Sequence, residues 1–125
     1  MNRKILLVDD EPNILMSLEF MMSKNGYDVF IARNGTEALD ILQDKALDLV
    51  VLDIMMPDVD GYELCRYIRT DECNKDAGII FLSAKSQPTD VKKGMDLGAD
   101  RYITKPFSTK KLMNTIRELL ESENN

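Results

Sequence analysis

The 125-residue chain is predicted to fold as an α/β domain, a doubly wound parallel sheet of five strands with helices on both faces. Two features predict it. Five short apolar runs recur along the chain, four of them nearly unbroken and rich in β-branched residues, as strands buried on both faces require. Segments with apolar residues at helical spacing separate the runs, and strands that alternate with helices pair in parallel. The size agrees: scaling laws give roughly 6,800 Å² of folded surface against about 20,700 Å² unfolded, enough burial for an ordinary core.

In chain order, Ile5-Leu6-Leu7-Val8 is the first strand. Asp10-Glu11-Pro12 is a helix start, and Ile14, Leu18, Met21 and Met22 fall on one face of the helix that follows. Gly26 stands where that helix should end, before the second strand at Val29-Phe30-Ile31. Asn34-Gly35-Thr36 opens a second helix with Ala38, Leu39 and Leu42 inward. Leu49-Val50-Val51-Leu52 is the third strand, and Leu64 and Ile68 mark the third helix. The fourth strand is Ile79-Ile80-Phe81-Leu82, followed by a helix with Val91 and Met95 inward that Gly94 weakens. Gly98 ends it ahead of Tyr102-Ile103-Thr104, the fifth strand. Ser108 caps a last helix with Leu112, Ile116 and Leu119 on its apolar stripe. Residues 1–125 are expected to form one domain, with 121–125 a frayed tail.

Composition narrows the function. Hydrophobic content of 44% and charged content of 30% suit a soluble globular domain. No apolar run approaches the ~20 residues of a membrane helix. Met1-Asn2-Arg3-Lys4 leads into a strand without a signal-peptide core, so a cytoplasmic location and no membrane association are expected. The chain has no histidine, and its two cysteines, Cys65 and Cys73, are eight positions apart. A zinc cage, a CxxC redox pair and every histidine-based mechanism are thereby excluded. Idle thiols in a reducing compartment are the plain reading. The net charge of −6 argues against direct nucleic-acid binding. Residues 85–117 nevertheless hold eight Lys/Arg against three Asp/Glu. That is either a solvated face or a surface that recognises a partner.

In doubly wound sheets the ligand crevice lies at the carboxyl ends of the strands. Those ends carry Asp9-Asp10-Glu11 after the first strand, Asp53 after the third, Ser83 after the fourth and Lys105-Pro106 after the fifth. In the order 2-1-3-4-5 the first and third strands flank the switch point. Asp9, Asp10 and Asp53 would crowd three negative charges against the one positive charge of Lys105, and a divalent cation would balance the sum. Oxygen donors without nitrogen or sulfur favour Mg²⁺, or Mn²⁺, over zinc. Mg²⁺ commonly shares its sphere with phosphate, and in that setting an aspartate is a nucleophile that forms an acyl phosphate. The cation alone does not say which aspartate reacts. Taken singly, each residue has a plain structural reading: Asp9-Asp10 as a helix cap, Ser83 as a satisfied strand-end hydroxyl, Tyr102 as a core-edge ring. Their convergence on one edge is what argues for chemistry.

The four motifs Lys4-Ile5-Leu6-Leu7-Val8-Asp9-Asp10-Glu11, Val50-Val51-Leu52-Asp53-Ile54-Met55-Met56-Pro57-Asp58-Val59-Asp60-Gly61, Phe81-Leu82-Ser83-Ala84 and Gly98-Ala99-Asp100-Arg101-Tyr102-Ile103-Thr104-Lys105-Pro106-Phe107 resemble, in order, a response-regulator receiver domain. The resemblance runs over essentially the whole chain. It implies the flavodoxin-like (βα)5 fold with strand order 2-1-3-4-5. It also implies that Asp53 is the phosphoacceptor and that Mg²⁺ is held by Asp10, Asp53 and the Met55 backbone carbonyl, with Asp9 acting through water. Ser83 matches the hydroxyl position, Lys105 the lysine, and Tyr102 the aromatic that turns inward on activation. The Lys105–Pro106 peptide is cis in the family.

The implied function is a phosphorylation-controlled switch rather than an enzyme acting on other substrates. The phosphoryl donor is a sensor histidine kinase or a histidine phosphotransfer protein, and the output is a downstream protein or a fused output domain. The surface of helix 4, strand 5 and helix 5 is expected to change. Arg101 and Lys111 replace acids usual in the winged-helix subgroup, which argues against that subgroup's dimer and leaves a monomer or a weak phosphorylation-dependent dimer. Ala84, Met55 and Lys85 flank the site and are expected to tune the acyl phosphate's lifetime. A Mg²⁺-dependent phosphatase would want an acid where Met55 stands and a substrate cap. A flavin carrier would need a phosphate loop that Asp9-Asp10-Glu11 would repel.

Overall fold

In a computed structural model that describes residues 2–121, five strands alternate with five helices. They are β1 (Lys4–Val8), α1 (Pro12–Lys24), β2 (Asp28–Ala32), α2 (Gly35–Asp44), β3 (Leu49–Leu52), α3 (Gly61–Thr70), β4 (Gly78–Ser83), α4 (Pro88–Asp96), β5 (Arg101–Thr104) and α5 (Thr109–Glu121). The five strands form one parallel sheet in the order β2-β1-β3-β4-β5, as expected. Glu121 closes α5 instead of starting a tail, and the rest of the expected tail lies outside the described residues.

Alternating side chains along each strand feed two cores. Leu6, Val8, Val50, Leu52, Ile79 and Phe81 point to the side covered by α2 and α3. Ile5, Leu7, Leu49, Val51, Ile80 and Leu82 point to the side covered by α1 and α5. Every residue of β3 and β4 is buried, but the edge strands β2 and β5 are only half-buried. Burial on both faces therefore holds for the central strands alone.

The helices begin where capping chemistry says they should. Asn34 accepts the Glu37 N–H at 2.8 Å, Asp60 accepts that of Glu63 at 2.9 Å, and Ser108 Oγ accepts that of Lys111 at 3.2 Å. Gly26 and Gly98 take positive φ values of 91° and 110° beyond the ends of α1 and α4. The apolar stripes need three corrections. Leu15 is buried in α1 while Ile14 and Met21 are half-buried, and in α5 Met113 and Leu120 are buried while Leu119 is half-buried. In α4 the expected Met95 is exposed and Val91 only half-buried, and Gly94 is the one buried residue. A side chain at 94 would meet Phe81 at 3.0 Å and Tyr102 at 3.1 Å, so the helix backbone itself is the packing surface.

Arg69, in the last turn of α3, ties the end of the sheet opposite the candidate site. Its guanidinium donates to the carbonyls of Gly98 (2.7 and 2.9 Å), Lys75 (2.9 Å) and Ala77 (2.5 Å), and to Asp100 Oδ2 (3.0 Å). The same Asp100 oxygen accepts the Ile79 N–H at 2.8 Å. One side chain thus joins the α3–β4 and α4–β5 connections. Arg69→Ala leaves these partners short of donors and is expected to cost about 3 kcal/mol. Urea unfolding checks it, with a lower midpoint and an unchanged slope.

Candidate functional site

The switch point lies between β1 and β3, whose carboxyl ends are held level by pairing of Val8 with Leu52 and by the Asp53 N–H donating to the Val8 carbonyl at 3.0 Å. Asp9 and Asp53, the next residue on each strand, are 2% and 5% exposed. Two buried carboxylates side by side demand a counter-charge. Lys105 supplies it. Its ammonium lies 2.9 Å from Asp9 Oδ2, 3.2 Å from Asp53 Oδ2 and 3.0 Å from Glu11 Oε1. Asp53 Oδ1 accepts the Ile54 N–H at 2.7 Å and the Met55 N–H at 3.3 Å, and Asp9 Oδ1 accepts the Glu11 N–H at 2.9 Å.

The titration of the two partners reflects this crowding. Burial raises the Asp9 carboxyl above its ordinary value; the hydrogen bond and charge of Lys105 and the Glu11 N–H only partly offset it, and Asp53 adds to the rise. Burial pulls the Lys105 value down, yet its bonds to Asp9 and Glu11 and the charges of Asp9 and Asp53 hold the ammonium well above the usual lysine range.

Glu11, which the sequence places at the end of the first strand, had no part in the charge balance drawn there. It precedes Pro12 at the start of α1 without capping that helix, and it reaches back to Lys105. Carboxylate oxygens of Asp9, Asp10, Glu11 and Asp53 lie within 4.8 Å of one another. Four carboxylates against one ammonium leave a negative charge even after a divalent cation, although half-exposed Glu11 is screened by water. The donor set fits a hard cation, being all oxygen. Asp10 adds a second sign: it is exposed and, among the described residues, has no hydrogen-bond or ion-pair partner. Asp10 and Met55 line one open cleft of about 530 Å³ with Tyr62, Lys85 and Lys93. The Met55 side chain is 59% exposed, while its N–H is held by Asp53.

Ser83 is fully buried at the end of β4, and its Oγ accepts the Lys85 N–H at 3.3 Å. Tyr102 is half-buried with its ring 5.8 Å from Phe81, and its hydroxyl donates to the Lys85 carbonyl at 2.7 Å. Burial, reinforced by Tyr62 and Asp90, pushes the Tyr102 phenol up to about 12. The Lys105–Pro106 peptide is cis. The thiols take no part: Cys73 is exposed on the surface, and burial pushes buried Cys65 up to about 11.

The chain matches the model of the response regulator receiver domain over residues 5–117. It belongs to that family. Among solved structures, the BeF3-activated DrrB receiver domain is 36% identical, with 97% of this chain and 99% of that one covered and a TM-score of 0.88. A chemotaxis response regulator of Vibrio cholerae is 29% identical over 96% and 100% of the two chains, with a TM-score of 0.90. The receiver domain of a histidine kinase from Syntrophus aciditrophicus is 34% identical over 96% and 91%, with a TM-score of 0.88. Receiver domains serve two-component signalling, are generally non-enzymatic, and bind Mg²⁺ at an acidic cluster; this receiver has such a cluster. Among the described residues no helix is long and apolar enough to cross a membrane.

Asp9 gives this receiver a pH signature. A carboxyl whose folded value is raised favours folding at low pH and loses that contribution as pH rises through the raised value. Asp9→Asn, neutral at every pH, should therefore raise the metal-free melting temperature at pH 7 by roughly a few degrees. The gain should shrink as pH falls from 7 towards 4 and wild-type Asp9 takes up its proton. Thermal melts in chelator at the two pH values check it.

Proposed function

We propose that this receiver takes a phosphoryl group onto Asp53 from the phosphohistidine of a sensor histidine kinase or a histidine phosphotransfer protein. The observation that carries this reading is the Lys105 ammonium shared between Asp53 and Asp9 at the switch point. A carboxylate oxygen of Asp53 attacks phosphorus in line, the P–N bond breaks, and the imidazole nitrogen keeps the bonding pair. Lys105 then holds one phosphoryl oxygen, and the Ser83 hydroxyl and nearby backbone N–H groups receive others. Asp10, Asp53 and the Met55 carbonyl would hold Mg²⁺, or Mn²⁺, with Asp9 bound through water; the cation supplies positive charge to the transferring group. Attack by water releases phosphate and restores Asp53. Met55, Ala84 and Lys85 border the approach and tune that lifetime.

The switch runs through Ser83. Its hydroxyl moves towards the phosphoryl oxygens, the β4–α4 connection follows, and Tyr102, already turned inward onto Phe81 with its hydroxyl on the Lys85 carbonyl, moves with it, altering the face of α4, β5 and α5. That face meets a downstream protein or a fused output domain, with the receiver monomeric or weakly dimerising on phosphorylation. Residues 1–125 act as one cytoplasmic unit without contact to membrane or nucleic acid.

Intact-mass measurement after incubation with acetyl phosphate tests the reading. One phosphoryl group should be gained with Mg²⁺, not in chelator, and not by Asp53→Asn. Stoichiometric labelling of Asp53→Asn would overturn the assignment. Asp10→Ala should keep the fold and weaken Mg²⁺ by more than about tenfold in a calorimetric titration. Lys105→Ala should still bind Mg²⁺ yet show no phosphorylation-dependent NMR shifts in α4 and β5.

A further inference from the structure

The β3–α3 loop, residues 54–60, carries both N–H groups that hold Asp53 and the Met55 peptide. Its neck is closed by the Gly61 N–H donating to the Ile54 carbonyl at 2.9 Å. A side chain on Gly61 would run into the Asp53 carbonyl and the Ile54 Cα. Its tip is held from outside. Asp58 Oδ1 accepts the Gly35 N–H at 2.9 Å, and Oδ2 accepts the Thr36 N–H at 2.9 Å and the Thr36 hydroxyl at 2.5 Å. Asp58 Oδ1 also accepts the Val59 N–H at 2.8 Å.

This clamp is not the ordinary cap of α2, because Asn34 already accepts the Glu37 N–H. Asp58 arrives from more than twenty residues away, and its charge meets the positive end of the α2 dipole. The Thr36 hydroxyl, with the N–H groups of Thr36, Val59 and Gly35, holds the Asp58 carboxyl well below the usual range, so the clamp is charged at neutral pH. Gly35 presses against Val59 so closely that a Cβ there would collide with it.

We propose that Asp58 is a positioning residue for the metal and phosphoryl site, fixing the β3–α3 loop against α2 so that Asp53 and the Met55 peptide stand ready for the cation. Asp58 touches neither. It removes the freedom of the loop that carries them, as outer partners of metal ligands do. The inference rests on the Mg²⁺ reading above.

The test is a calorimetric Mg²⁺ titration of the full chain with Asp58→Ala and, as control, Asn34→Ala, which loosens the same helix end without releasing the loop. Asp58→Ala should weaken Mg²⁺ about tenfold, Asp58→Asn less, and Asn34→Ala by under about twofold. Equal weakening by Asp58→Ala and Asn34→Ala, or wild-type affinity in Asp58→Ala, overturns the proposal. Should Asp58→Ala not fold, Thr36→Val, which removes one donor, should show a smaller loss in the same direction; an unchanged affinity there also overturns it. Hydrogen exchange of the Ile54 and Met55 amides in chelator separates this inference from the metal reading. If wild type binds no Mg²⁺, the metal reading fails, and exchange about tenfold faster in Asp58→Ala still supports the clamp. Unchanged exchange overturns it.

Discussion

The site depends on one ammonium reaching across the end of a strand. β4 lies between β3 and β5, so Lys105 must pass over the end of β4 to reach Asp53, and further to reach Asp9. The crossing starts from a fixed point, since the Lys105 N–H donates to the Ser83 carbonyl at 2.9 Å. Ala84 lines the same groove as Lys105, Pro106 and Phe107. Without the ammonium, two carboxylates nearly sealed from water would repel each other with no counter-charge between them. On the proposed reading the flexible stem of a lysine suits the task, because its charge can follow an oxygen that moves as a phosphoryl group arrives.

A buried acid can be held charged by flexible partners, but it cannot be aimed by them. Aiming falls to the backbone of the β3–α3 loop, whose Ile54 and Met55 N–H groups fix one oxygen of Asp53. The other oxygen faces the ammonium. Asp60 caps α3, and Gly61, the first residue of that helix, lets the backbone lie hard against the Asp53 carbonyl. The arrangement is stiff where Asp53 must keep its direction and open where Asp10 and Met55 face a cleft.

Much of this was legible in the sequence, for physical reasons that differ by element. The central strands are continuous apolar runs because both faces are buried, though the half-buried edge strand β2 reads the same way. Asp9, Asp53, Ser83 and Lys105 could be placed because each follows a strand, and parallel strands deliver their carboxyl ends to one edge. What stayed hidden depends on contacts between parts distant in sequence. Glu11 looks like part of a helix start, and only the arrival of Lys105 gives it a partner. Asp58 reads as one more turn acid until α2 is placed beside it. In α4, spacing favoured Val91 and Met95, because a pattern of apolar residues cannot register that a glycine is the contact.

That glycine bears on how the domain would move. α4 buries no large side chain of its own; its backbone at Gly94 rests on the rings of Phe81 and Tyr102. Tyr62 completes the group edge-on to Phe81 at 5.7 Å, and its hydroxyl donates to the Asp90 carbonyl inside α4 at 3.1 Å. The Tyr102 hydroxyl is tied to the Lys85 carbonyl, two residues beyond Ser83. Few anchored side chains make a helix easy to shift, and elements of low local stability are the ones that move in switching. On the proposed reading, a displacement of Ser83 drags Lys85 by its N–H, the Lys85 carbonyl carries the Tyr102 hydroxyl, and the ring is the surface on which α4 stands. The helix is therefore seated on the group that the phosphoryl site would pull.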